Sequence, residues 1–322
     1  MNRPSGPVDH PPAQGPVDGP WSSAAAGAEP APSPSVRHRL IGWLEDSERA
    51  GPVARSRQRR IQKRRRSEKS RRYAMVYDTA GPKVRLGFLW FIWQFEAIYL
   101  GRWAVALTFA AVAGMAGWQA AKTWVDRGAA DDRWLVAGLV GVCPLAAWAG
   151  TGLLGLTILL VATVALMLAA VRGHTAVGTL VKVGEILRVV LVPAVGAGAV
   201  VLVYKIDIGA IVALSLLVAA YEMGDYLVGS GSPNVVEGPI AGIAAVAVVG
   251  FALSLPFVQP PPFEGTDIQL FAALVALMCP IGQVLASWVL PRSAAPAPAL
   301  RRLDSWLVAA PVWVVILWSY TP

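Results

Sequence analysis

Long apolar runs separated by short polar breaks dominate the chain from residue 86 onward. They fall near residues 103–121, 134–150, 153–170, 186–204, 208–221, 240–257, 268–289 and 305–320. Several have the roughly 17–25 residues that a helix needs to cross a bilayer. Backbone polar groups in hydrocarbon must be satisfied within the segment, so the expected element is the α-helix throughout. One more segment, LGFLWFIWQFEAIYLG at 86–101, is shorter and aromatic and carries Gln94 and Glu96. Alone it reads equally well as a helix lying in the interface. Residues 1–35 follow a different pattern, rich in Pro, Gly, Ala and Ser, with no apolar core long enough for a signal peptide. Such a segment cannot bury enough surface to offset chain ordering and is expected to be disordered. Within the tail, Val36, Leu40, Trp43 and Leu44 recur at helical spacing. That spacing describes either a short amphipathic turn facing the bilayer surface or a partner, or a transient helix of no consequence.

Composition turns this pattern into a class. Of 322 residues, 55% are hydrophobic and 15% charged, the balance of a polytopic membrane protein rather than a soluble domain. Charge then divides the chain. Residues 1–82 hold 15 Lys/Arg against 8 Asp/Glu, and residues 83–322 hold 13 against 12. Eleven of the basic residues lie in RSRQRRIQKRRRSEKSRR, from Arg55 to Arg72. Nothing beside that run resembles a folded reader of bases, so nucleic acid is disfavoured as a partner. A cytoplasmic anchor that also attracts anionic lipid headgroups is the simpler reading. The two cysteines, Cys143 and Cys279, sit in separate apolar runs and read as buried free thiols.

The same charges count the crossings. If 86–101 stays out of the membrane, a cytoplasmic tail leads to eight crossings. The basic residues at 122, 127, 133, 172, 182, 188, 292, 301 and 302 then face outside. If it spans, all nine face the cytoplasm, and Arg102 and Lys205 lie outside. The positive-inside rule favours the second arrangement. The expected architecture is therefore all-α: a disordered cytoplasmic tail over 1–82, then a transmembrane domain over 83–322 with about nine helices. It requires an abrupt reversal at Gly101–Arg102.

Polar chemistry concentrates in two places. The stretch YEMGDYLVGSGSPNVVEGPIAG, Tyr221 to Gly242, sets Glu222, Asp225, Ser232, Asn234 and Glu237 between apolar runs. Carboxylates beside hydrocarbon are costly and usually mark function. Asp304, in RRLDSWLVAAP, opens the last run. With nine crossings both places share one face.

These residues resemble the phosphatidate cytidylyltransferase (CDP-diacylglycerol synthase) family, which carries D-x-x-A-Y-x-x-G, a linker and S-P-K-K-T-W-E-G-x-x-G-G. Asp225, Gly229, Ser232, Pro233, Glu237, Gly238 and Gly242 follow that pattern with a shorter linker. The family's D-R-x-D-S and A-A-P are matched by Arg302, Asp304, Ser305 and Ala309-Ala310-Pro311. CPIGQVLASWVLPR at 279–292 is similar to its G-D-L-x-E-S segment through Gly282 and Ser287. The likeness covers roughly residues 100–322. It departs at Asn234-Val235 for the lysine pair, at Gln283 and Ala286 for two acids, and at Arg301 for the first Asp of D-R-x-D. PRSAAPAPAL also lacks the carboxylate, lysine and histidine of the family's K-D-x-x-x-x-x-P-G-H-G-G.

The resemblance implies transfer of CMP from CTP to a lipid phosphate, with Mg2+ held by carboxylates from different helices. By it, Asp225, Glu237 and Asp304 are the candidate catalytic residues and Asp225 with Asp304 the metal ligands. Ser232, Asn234, Arg301, Arg302 and Ser305 would contact substrate, the arginines pairing with phosphate. Each residue also has a plain reading: Glu237 as a helix cap with Asn234 three residues earlier, Asp304 favoured by a helix dipole, Asp225 solvated at the interface. Glu222 lies one turn before Asp225, on its face, without a family counterpart. Gly229 and Gly231 serve a tight turn as readily as a phosphate cradle. His174 stands alone in a short loop.

Because the departures remove lysines and acids that would stabilise the transition state, two functions stay open. One is a divergent cytidylyltransferase-like enzyme. The other is an inactive relative that binds lipid or serves as a scaffold. A transporter is a third class, without an internal repeat to support it. Expected partners are membrane lipids, CTP and phosphatidate, anionic headgroups at the tail, and a second copy of the chain. The Ala/Val/Gly/Arg-rich composition suggests a bacterial plasma membrane with the N-terminus in the cytoplasm.

Overall fold

The structure is a computed structural model that describes residues 83–126, 132–172, 176–230, 234, 236–293 and 295–320. The tail over 1–82, its amphipathic turn and basic cluster, His174, Ser232 and Gly231 lie outside the described residues. The described residues are helical, with no strand among them. In chain order the helices are α1 (Lys83–Leu100), α2 (Arg102–Val125), α3 (Arg133–Ala149), α4 (Thr151–Arg172) and α5 (Ala176–Ile206). They continue as α6 (Ile208–Gly229), α7 (Glu237–Leu253), α8 (Asp267–Val289), the single turn-and-a-half α9 (Pro298–Leu303) and α10 (Trp306–Tyr320).

Six segments are long and apolar enough to cross a membrane: Arg102–Val125, Thr151–Val171, Leu180–Ile206, Ile208–Gly229, Asp267–Val289 and Pro298–Tyr320. Three more helices match apolar runs in the sequence but fall short of that measure. α3 and α7 have 17 residues each, about 25 Å at 1.5 Å per residue, against a hydrocarbon core of about 30 Å. α1 includes Lys83, Arg85 and Glu96 among its 18 residues. The expected ninefold crossing therefore rests, for α1, α3 and α7, on where their ends sit.

Contacts tie the ends of α1 and α3 to those of the longer helices. At one end of the bundle the Trp124 indole of α2 donates to the Val289 carbonyl of α8 at 3.2 Å. The Arg188 guanidinium of α5 lies over Trp124 and Trp288, 4.2 and 5.5 Å from the ring centres. Gly87, near the start of α1, lies against Arg302, and Ala299 of α9 donates its backbone N–H to Gln119 of α2 at 2.8 Å. At the other end the Tyr204 hydroxyl of α5 donates to Ile98 O of α1 at 3.4 Å, and Lys205 Nζ donates to Ala149 O of α3 at 2.6 Å. Arg102 lies over Trp148, which stacks on Trp103. Tryptophans thus collect at both ends, as the aromatic belts of membrane proteins do.

The reversal demanded at Gly101 takes a single residue. Gly101 closes α1 by donating to Ala97 O and Ile98 O, and opens α2 by accepting from the N–H groups of Ala104 and Val105. Its φ of 106° and ψ of 179° lie in a region that is essentially glycine-only. Gly150 joins α3 to α4 the same way, with φ 153° and ψ 176°. Asp207 joins α5 to α6 in extended conformation, its carboxylate accepting from the Ala210 N–H at 3.0 Å as an N-cap. All three one-residue hinges lie at the end that holds Arg102 and Lys205.

Small residues let the helices approach closely, as in membrane interfaces where lipid offers no hydrophobic drive. A Cβ on Gly114 would stand 3.1 Å from Ala137 O, and one on Gly141 3.2 Å from Ala110 O, so α2 and α3 cross backbone to backbone. Gly224 and Gly242 do the same for α6 and α7, where a Cβ on Gly224 would meet Ala241 O at 2.6 Å. α4 buries the smallest share of its residues among the six long apolar helices, which leaves it facing outward.

Candidate functional site: a buried polar centre at one end of the bundle

Tyr221 and Asp225 are four residues apart on α6 and share one face. Cys279, Gln283 and Ser287 are spaced by four along α8 and make a second polar stripe in an otherwise apolar helix. The two stripes meet. Gln283 Nε2 donates to Asp225 Oδ2 at 2.8 Å, and the Tyr221 hydroxyl donates to Gln283 Oε1 at 3.1 Å. An ionised carboxylate only accepts, so it selects the amide nitrogen, and the tyrosine then takes the oxygen. Asp225 is 5% exposed, Gln283 8% and Tyr221 fully buried.

The third element is the turn between α9 and α10. Gly282 of α8 admits it: a Cβ there would collide with Asp304 O, closer than any side chain tolerates. Asp304 Oδ1 accepts from the Ser305 N–H at 2.8 Å, and its carbonyl accepts from Leu307 N. The acid therefore sits where the α10 dipole favours it, as its plain reading requires. Arg301 ties the turn to α8. It donates to Ser287 Oγ at 3.0 Å and Ser293 O at 2.7 Å, and its Nη1 lies 3.9 Å from Asp304 Oδ2. The Cys279 thiol faces Ser305 O at 3.6 Å, and both cysteines are buried and free.

Glu222 completes the group. It meets the Ser305 hydroxyl and lies close enough to Asp304, Arg302 and Asp225 for their charges to act on it. Its Oε1 is buried without a hydrogen-bond partner among the described residues. Three carboxylates and two guanidinium groups thus share one region, drawn from α6 and the α9–α10 turn. Asp225 and Asp304, 79 positions apart in sequence, act on each other electrostatically.

The other expected residues fall differently. Glu237 opens α7 and accepts a hydrogen bond from the exposed side chain of Asn234, but the backbone N-cap of α7 is Val236. Neither Glu237 nor Asn234 is among the buried polar residues. Arg302 and Ser305 belong to the centre, while Ser232 lies outside the described residues. The motifs do not pair Gln283, Tyr221 or Ser287 with Asp225 or Arg301; the structure does. A signal for them exists in the sequence, as polar residues every fourth position along an apolar helix.

The centre is a poor cradle for Mg2+, which requires convergent oxygen donors. One oxygen of Asp225 faces an amide N–H, one oxygen of Asp304 faces a backbone N–H, and among the described residues no group of three or more His, Cys, Asp or Glu is arranged to hold a metal. Two clefts lie elsewhere, one between α1 and α2 lined by Trp93, Leu100 and Leu107, the other at the hinged end. Neither protein-family models nor curated proteins give a match to the chain. Any kinship is therefore carried by the quoted motifs.

Proposed function

We propose that this is an integral membrane protein with a helical scaffold of the phosphatidate cytidylyltransferase type whose polar centre recognises lipid rather than transferring a nucleotide. The observation that carries this reading is the Tyr221–Gln283–Asp225 chain. Where the family has an acid, this chain has a carboxamide, and its N–H group points at the carboxylate a metal would need. Arg301 is likewise engaged with Ser287, Ser293 and Asp304. Lys122 and Arg133 over Trp118, Arg188 over Trp124 and Trp288, and Arg302 beside Gly87 gather at the same end. A cationic belt of this kind suits anionic headgroups, and under the positive-inside rule it agrees with a cytoplasmic position for this end and with nine crossings.

The catalytic reading keeps one observation in its favour, the gathering of Glu222, Asp225 and Asp304 beside Arg301 and Arg302. One experiment separates the two. Full-length protein in nanodiscs, given CTP, Mg2+ and phosphatidate, is expected to release no pyrophosphate above a protein-free control, while retaining phosphatidate in preference to phosphatidylcholine. Metal-dependent pyrophosphate release that is lost in Asp304→Asn overturns this reading in favour of the enzyme.

A further inference from the structure

The hinged end, opposite the acidic centre, carries two cations among the described residues, Arg102 and Lys205, and both line the same cleft. The cleft measures about 520 Å³ and is completed by Tyr204, Asp207, Gly209 and Pro261. In a bundle whose other basic residues collect at the far end, two cations in one cleft are not explained by topology. Positive charge at this face runs against the positive-inside rule if the acidic end is cytoplasmic.

The local structure holds both cations in place. Lys205 is pinned through Nζ to the last carbonyl of α3, Ala149 O at 2.6 Å, an exposed helix end that favours a cation. That contact occupies one of its three donors. Gly150 keeps the approach open, since a Cβ there would stand 3.0 Å from Nζ. Arg102 rests its guanidinium on the Trp148 face, 5.1 Å from the ring centre, and forms no hydrogen bond or ion pair among the described residues. Stacking of that kind leaves the in-plane N–H fork unused, the geometry that matches phosphate oxygens. The Tyr204 hydroxyl, bonded to Ile98 O, fixes α1 against α5 on the same wall. One face of the cleft is closed by backbone: a Cβ on Gly209 would collide with Pro261 O. Asp207 contributes the opposing charge, but one of its oxygens is taken by the Ala210 N–H.

We infer that this cleft is a binding site for a phosphate monoester or diester, with Arg102 and Lys205 as its two cationic contacts. The group comes either from a lipid headgroup of the adjacent leaflet or from a soluble phosphate. This site is independent of the acidic centre and of its function.

The test uses full-length protein. Thermal stability is compared in nanodiscs of phosphatidylcholine with and without phosphatidylglycerol, and in neutral detergent with and without inorganic phosphate or glycerol 3-phosphate. A shift with phosphatidylglycerol alone assigns a lipid headgroup, and a shift with the soluble phosphates assigns a soluble ligand. Arg102→Gln and Lys205→Gln should each weaken the apparent affinity roughly tenfold, the loss of one charge-assisted phosphate contact. Asp207→Asn keeps a residue type that caps helices but removes the negative charge. It should tighten binding several-fold, a gain that a purely structural role for Arg102 and Lys205 would not produce. No anion-dependent shift under any condition, or equal shifts in wild type and all three variants, overturns the inference.

Discussion

The two ends of this bundle handle charge in opposite ways. At one end, three carboxylates and two guanidinium groups lie buried or half-buried together, and Gln283, Ser287, Ser293 and Ser305 supply hydrogen bonds to them. At the other, Arg102 and Lys205 stand at a cleft with donors to spare, and the order is in the backbone, at Gly101, Gly150 and Asp207. An interior charge is tolerable only when its partners are in place, so the first end is sensitive to any lost contact. The second end stays wet, so its charges contribute little to stability and remain free for a ligand.

The sharpest way to break this comparison is Gln283→Leu. It takes one hydrogen bond from each of the buried Asp225 and Tyr221, with an expected loss of about 3–5 kcal/mol. Thermal unfolding in detergent should show a larger drop than any substitution at the hinged end; an unchanged midpoint would mean that water reaches Asp225. Gly282→Ala follows. Its Cβ would press on the Asp304 carbonyl and push the α9–α10 turn away from α8, at a cost of about 1–3 kcal/mol or more. A cysteine pair reporting the distance between α8 and α10 should register the displacement.

Gly101→Ala tests the hinged end. The observed φ and ψ exclude a side chain, and the strain should cost about 1–3 kcal/mol, read as a lowered midpoint with unchanged helix content by circular dichroism. Smallest is Lys205→Met, which keeps the aliphatic stem but loses the cap on α3. About 0.5–1 kcal/mol is expected, and the difference between low and high salt should disappear with the charge. If Lys205→Met proved as damaging as Gln283→Leu, the contrast between the ends would fail.

Much of the architecture is legible in the sequence because hydrocarbon imposes a simple code: each apolar run becomes a helix, and charge placement along the chain anticipates which helix ends meet. The abrupt turn at Gly101 follows from the charges as a demand, but its solution does not, because it depends on dihedral angles that only glycine reaches. The centre is half legible. Asp225, Asp304, Arg302 and Ser305 stand out by their resemblance to a known motif, whereas Gln283 reads as the loss of an acid rather than as a partner of Asp225. Glu222 has no counterpart in that motif, although its spacing from Asp225 already places it on the same surface. Glu237 matches the motif but pairs with Asn234, which departs from it, outside the buried centre. The cleft between Arg102 and Lys205 is illegible, because 103 positions separate them and nothing local links them.

The single-residue hinges also bear on how this protein can be altered. Three of the connections at the hinged end contain one residue each and the fourth thirteen, while those at the acidic end run from two to eight. A reporter, epitope or extra loop belongs in the longer crossing near residues 126–132 rather than in 290–297, where the Ser293 carbonyl holds Arg301. The same insertion at position 101, 150 or 207 would unclasp two helices at once, so length is not negotiable at those three joints.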